Sequence, residues 1–87
     1  MVDWGEGELI VRSRLKQIIT QLEMERGERI SQKEIAEATG LSENAISRWM
    51  SPRAFARIES DAATRLCKYL RVSLGDLVYI DEVHPSQ

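Results

Sequence analysis

The sequence predicts an all-α fold: a compact set of five helices around one small core, two of them meeting at a sharp corner. Two serines, Ser31 and Ser42, stand where helix N-caps belong. Gly40 lies between the runs they open, at a point where a left-handed backbone is cheapest for glycine. Apolar residues recur three and four positions apart in the helical runs, the periodicity of a face turned toward a core.

The first helix is expected over residues 12–25, with Leu15, Ile18, Ile19 and Leu22 on one apolar stripe. Gly27 ends it inside a solvated turn, Glu25 to Arg29. Ser31 then caps a second helix, and Glu34 completes a Ser-x-x-Glu capping box flanked by Ile30 and Ile35 in the staple positions. That helix ends near Thr39. Ser42 restarts the device, with Leu41 placed to staple onto Ile46. The third helix therefore runs from about Glu43 to Met50, and Pro52 keeps it from going much further. Two helices of this length and separation are spaced as a helix-turn-helix, in which the second helix can enter a DNA major groove while the first braces it. A plain helical hairpin with no ligand would need the same caps and the same stripe.

The fourth helix is expected after Ser60, burying Ala63, Leu66, Cys67 and Leu70. Ser73 with Asp76 marks a fifth capped start, stapled by Val72 and Leu77. Outside the helices, Leu9-Ile10-Val11 and Val78-Tyr79-Ile80 are β-branched or aromatic. They suit a short terminal β-ribbon, within one chain or between two, as well as frayed extensions of the helices. The expected organisation is a flexible acidic N-terminus over 1–8, a helix-turn-helix domain over 9–80 and a flexible tail over 81–87.

Eighty-seven residues allow one small core. Nothing resembles a membrane span or a secretory signal, and the single cysteine fits a reducing cytoplasm. The net charge of −2 would discourage a polyanionic partner if it were spread evenly. It is not: three acidic residues lie in 1–8 and three in 73–87, so residues 9–72 hold all 12 Lys and Arg against 8 Asp and Glu. Charges further away than about 8–10 Å are largely screened, so the acidic ends leave a locally positive body able to meet phosphate. Affinity for a monomer should still be modest, which points toward a homodimer or a second partner for tight binding. An enzyme is not expected, and no cofactor or metal is implied. Cys67 lies on an apolar helical face, and His84 stands in the tail without a ligating or nucleophilic neighbour.

The pattern Gln32-x-x-x-Ala36-x-x-x-Gly40-x-x-x-x-x-Ile46-x-x-Trp49 resembles the lambda-repressor-like helix-turn-helix family, the Xre/Cro group of bacterial and phage regulators. The segment Leu66 to Leu77 is similar to that family's fourth helix and the start of its fifth, so the resemblance covers roughly residues 12–80. It implies a transcriptional regulator, with Gln32 on a phosphate and with Ser42, Glu43, Asn44 and Arg48 reaching bases and backbone from the recognition helix. Two features depart from the family's pattern. Glu43 sets a carboxylate at the groove mouth, and Ser51-Pro52 replaces the usual Asn-Gly exit.

The residue chemistry gives its own assignments. With Ile46, Trp49 and Met50 facing inward, Glu43, Asn44, Ala45, Ser47 and Arg48 are left outward. Arg48 suits guanine, Asn44 adenine, Ala45 a thymine methyl and Glu43 a cytosine amino group. The alternatives are a surface salt bridge for Arg48 and a phosphate contact for Asn44. Arg53, Arg57 and Lys33 are candidate phosphate clamps, and Phe55 is expected to fold back onto the core. The expected function is sequence-specific binding of double-stranded DNA, with repression by occlusion the simplest outcome. The competing class is an antitoxin-like or adaptor protein whose main partner is another protein, suggested by the acidic ends and the Val78-Tyr79-Ile80 segment.

Overall fold

A computed structural model describes residues 8–83. In chain order the elements are β1 (Glu8–Ser13), α1 (Leu15–Arg26), α2 (Gln32–Thr39), α3 (Glu43–Met50), α4 (Ser60–Leu70), α5 (Leu74–Leu77) and β2 (Val78–Val83). The five helices and the terminal ribbon are both present, as expected. β1 and β2 pair antiparallel within the chain, with Val11 opposite Ile80 and Arg12 opposite Tyr79.

The first helix begins later than its periodicity suggested. Arg12 and Ser13 belong to β1, opposite Tyr79 and Val78, and the helix starts only at Leu15. Ribbon pairing wins because the backbone there is already committed: the Arg14 amide donates to the Leu77 carbonyl at 2.7 Å. The Ser13 hydroxyl then accepts from the Leu15 amide at 3.0 Å, satisfying one of the new helix's orphan donors. The ribbon also takes in Glu8 and residues 81–83, which the expected boundaries at 9 and 80 assigned to the ends. Residues 1–7 and 84–87, His84 among them, lie outside the described residues.

The predicted caps at Ser31 and Ser42 are in place. Ser31 accepts from the Glu34 amide at 3.0 Å and Ser42 from the Ala45 amide at 3.1 Å. Gly27 and Gly40 end α1 and α2 in the left-handed conformation. Asp76 accepts from both the amide and the hydroxyl of Ser73, closing the start of α5. α4 differs in detail: Glu59 is its N-cap, and its buried face is Ala62, Ala63 and Leu66, with Cys67 and Leu70 only half-buried.

Leu15, Ile19, Ile35, Ile46, Leu66 and Leu77 are the fully buried side chains, at least one from every helix. Ile46 and Trp49 seat α3 on this core, while Ala36 supplies the small side chain at the α2–α3 approach. Among the described residues no helix is long and apolar enough to cross a membrane.

Candidate nucleic-acid interface

The corner between α2 and α3 is set by local chemistry and then locked from outside. Thr39 is buried, and its hydroxyl donates to the Ile35 carbonyl at 2.8 Å and accepts from the Leu41 amide at 3.2 Å. Across the core, the Arg65 guanidinium on α4 donates to the Thr39 carbonyl at 3.0 Å. Asp61, one turn earlier on α4, accepts from the same guanidinium at 3.1 Å and so fixes its direction. Sequence reasoning missed Arg65. Its role depends on a partner 26 residues away, which no local spacing announces.

Gly40 is where this lock leaves no room. Its φ is +78°, and a Cβ there would stand 2.8 Å from Arg65 Nη1. A Gly40→Ala variant is expected to lose about 1–2 kcal/mol of stability from the left-handed backbone, with a further loss as Arg65 is displaced. Urea denaturation measures it, and an unchanged midpoint would show that the corner is looser than its hydrogen bonds indicate.

Of the residues expected on the outward face of α3, Glu43, Asn44, Ser47 and Arg48 are exposed. Ser42 is exposed too, with its hydroxyl already accepting the Ala45 amide. Ala45 is half-buried, toward a narrow cleft shared with Arg48, Phe55 and Arg57. Glu43 sits in the first turn of α3, where a carboxylate interacts favourably with the positive end of the helix. That gives it a structural role independent of any base. Gln32 and Lys33 are exposed in the first turn of α2, whose amide-rich end favours an anion.

Beyond α3 the chain makes a loop instead of continuing the helix, and the ribbon holds that loop. The Phe55 amide donates to the Val11 carbonyl at 2.8 Å, and Arg12 donates to the Pro52 carbonyl. The Phe55 ring packs against Trp49 with centroids 4.7 Å apart, so it folds back onto the core as expected. Arg53 and Arg57, on the same loop, are exposed. They line, together with Arg48, one open cavity of about 410 Å³. Three arginines, one from α3 and two from the loop, thus line one cavity at the C-terminal end of α3.

The pairing of the cations separates two sets. Among the described residues, ion pairs engage Arg12 with Asp81, Arg26 with Glu28 and Glu34, and Arg65 with Asp61. Arg48, Arg53, Arg57 and Lys33 enter none of them. The first set braces the fold and the second faces solvent. Lys16 and Arg29 were not singled out in the sequence, yet they line a second open cavity of about 620 Å³ with Ser31 and Gln32. Glu23 and Glu34 line the same cavity, so the surface at the start of α2 is of mixed charge. The fold brings Lys16 there from α1, whereas Arg29 lies in the turn two residues before Ser31.

Cys67 is half-buried, and desolvation, helped by Asp76, pushes its thiol above the ordinary value, which disfavours the reactive thiolate.

These features define a helix-turn-helix domain with a solvent-facing recognition helix and a basic rim. The family of Cro/C1-type helix-turn-helix DNA-binding domains matches the chain over residues 22–82, and the chain belongs to that family. It is a DNA-binding protein of the lambda-repressor-like, transcription-regulating class. No curated protein and no solved structure matches it.

Proposed function

We propose that the protein is a sequence-specific repressor acting in the cytoplasm as a homodimer, with α3 inserted in the major groove of double-stranded DNA. The observation that carries this reading is the union of an outward polar face on α3 with three exposed arginines at its end that form no ion pair among the described residues. Asn44, Ser47 and Arg48 read base edges, Arg48 pairing with guanine and Asn44 with adenine. Ala45 meets a thymine methyl from the edge of the cleft, and Glu43 accepts from a cytosine amino group. Gln32, Lys33, Ser42, Arg53 and Arg57 hold the phosphate backbone on either side of the groove. Such contacts fix register while the base contacts supply sequence. Repression follows from occupancy of a promoter.

Selection of bound sequences from a random duplex pool tests the reading. A recovered motif with two inverted half-sites about one helical turn apart supports a two-fold dimer, and recovery of no motif would refute sequence-specific binding. Against that motif, Arg48→Ala should lose about 1–3 kcal/mol of discrimination at one base pair while leaving affinity for unrelated duplex nearly unchanged. A gel-shift titration in which Arg48→Ala matches the parent would remove Arg48 from base reading.

A further inference from the structure

We propose that the cleft between β1, the start of α1 and the exit of α3 is a seat for a phosphate group, held by Arg12, Lys16, Gln17 and Ser51. Two sources offer that chemistry, the backbone of a bound duplex and free phosphate. The first rests on the DNA-binding reading above and adds a contact from outside the helix-turn-helix pair.

The cleft encloses about 190 Å³, and its walls include Arg12, Lys16, Gln17, Ser51, Pro52 and Tyr79. Sites that enclose a whole organic ligand are typically about 300–1,000 Å³, so this one suits a small charged group. Its charge is one-sided. Among the described residues no carboxylate lines it, whereas Glu23 and Glu34 line the cavity at the start of α2 and Asp61 lines the one between α2 and α4. The Arg14 guanidinium stands 4.3 Å from the centroid of the Tyr79 ring, adding a further cation at the rim.

The donors have capacity to spare. Arg12 uses Nε for Asp81, at 3.0 Å, and Nη1 for the Pro52 carbonyl, so among the described residues no hydrogen bond engages its Nη2. Lys16 is exposed and enters no ion pair among the described residues. The two carboxylates that share its other cavity are committed elsewhere: Glu23 accepts the Ile30 amide at 2.8 Å, and Glu34 pairs with Arg26 at 3.1 Å. Ser51 Oγ accepts the Arg53 amide at 3.2 Å, which leaves its O–H to donate. Gln17 is exposed and carries two further N–H groups. A guanidinium fork with an ammonium beside it suits phosphate, whose tetrahedral oxygens can meet donors from several elements at once.

The seat also adjoins the candidate interface on two sides. Lys16 lines the cavity that holds Ser31 and Gln32, while Ser51 and Pro52 directly precede Arg53. A phosphate held here would link the start of α2 to the loop through α1. Because the Arg12 guanidinium also holds the Pro52 carbonyl, an anion drawn to it acts on the residue that positions the loop.

The test has two arms, each run on the full chain as parent, Lys16→Ala and Lys16→Arg. Urea midpoints of both variants should match the parent, since Lys16 is exposed and forms no ion pair among the described residues. In the first arm, amide NMR spectra are recorded without DNA while inorganic phosphate replaces chloride at matched ionic strength. Saturable shifts at Lys16, Gln17 and Ser51 that vanish in Lys16→Ala and persist in Lys16→Arg uphold the seat. In the second arm, duplex affinity is followed across a salt series. One lost phosphate contact flattens the slope by about 0.9, so a fourfold rise in salt should cost Lys16→Ala roughly three- to fourfold less affinity than it costs the parent or Lys16→Arg. A flattened slope assigns the seat to the DNA backbone, with or without the shifts. Shifts with a parent-like slope assign it to free phosphate. If the chain binds no duplex, the reading above fails and the phosphate arm alone decides. A parent-like slope together with no saturable shift, or with shifts that Lys16→Ala leaves unchanged, overturns the seat, while a motif from the duplex selection would still uphold base reading by α3.

Discussion

Replacing Trp49 with alanine is expected to cost about 3–5 kcal/mol, the usual penalty for emptying a large aromatic site in a core. Trp49 is only 4% exposed and packs against the Phe55 ring. It therefore joins α3 to the core below and to the ribbon-held loop beside it. A domain of this length has on the order of 4–13 kcal/mol to lose, at about 0.05–0.15 kcal/mol per residue. The variant should thus unfold at much lower urea concentration, and circular dichroism at physiological temperature should show a large unfolded fraction. DNA binding should fall with it, since both the recognition helix and the loop lose their common support. Trp49→Phe retains an aromatic contact with Phe55 and should recover much of the stability. A midpoint for Trp49→Ala corresponding to a loss under about 1 kcal/mol would mean that α3 is seated by Ile46 without help.

How far the sequence spoke for itself follows the range of the forces involved. Caps are local, and Ser31, Ser42 and Ser73 with its Asp76 partner marked their helix starts correctly. The inward set on α3 was also legible, because Ile46, Trp49 and Met50 share one face of a regular helix. The start of α1 was not legible. Arg12 and Ser13 are equally compatible with a helix until residues 78 and 79 arrive as strand partners. The same limit hid Arg65, whose carbonyl partner lies on another element, and Lys16, which reaches the candidate interface only through packing of α1. At the interface, residue chemistry could nominate Arg48, Arg53 and Arg57 separately. Their convergence depends on the loop's path, set by two hydrogen bonds to β1 that the sequence does not display.

That convergence makes the strongest binding prediction. Arg53→Ala combined with Arg57→Ala should weaken binding to every duplex and flatten its dependence on salt. Each phosphate contact releases condensed counterions, contributing about 0.9 to the slope of log K against log salt. Two lost contacts should reduce the slope by about 1.8, so that raising salt fourfold costs the double variant roughly tenfold less affinity than it costs the parent. Sequence preference should survive, because neither residue reads a base in the proposed arrangement. Stability should change little: both side chains are exposed, and among the described residues neither forms an ion pair. The contrast with Arg12→Ala is informative. Arg12 pairs with Asp81 at 3.0 Å and holds the Pro52 carbonyl, so its loss should disturb the loop and lower affinity by misplacing both arginines. In that variant the number of phosphate contacts would depend on where the loop settles, whereas the double variant removes the charges from an intact loop. Fluorescence anisotropy titrations across a salt series measure both effects. A parent-like slope for the double variant would place the loop away from the phosphates and confine the interface to α2 and α3.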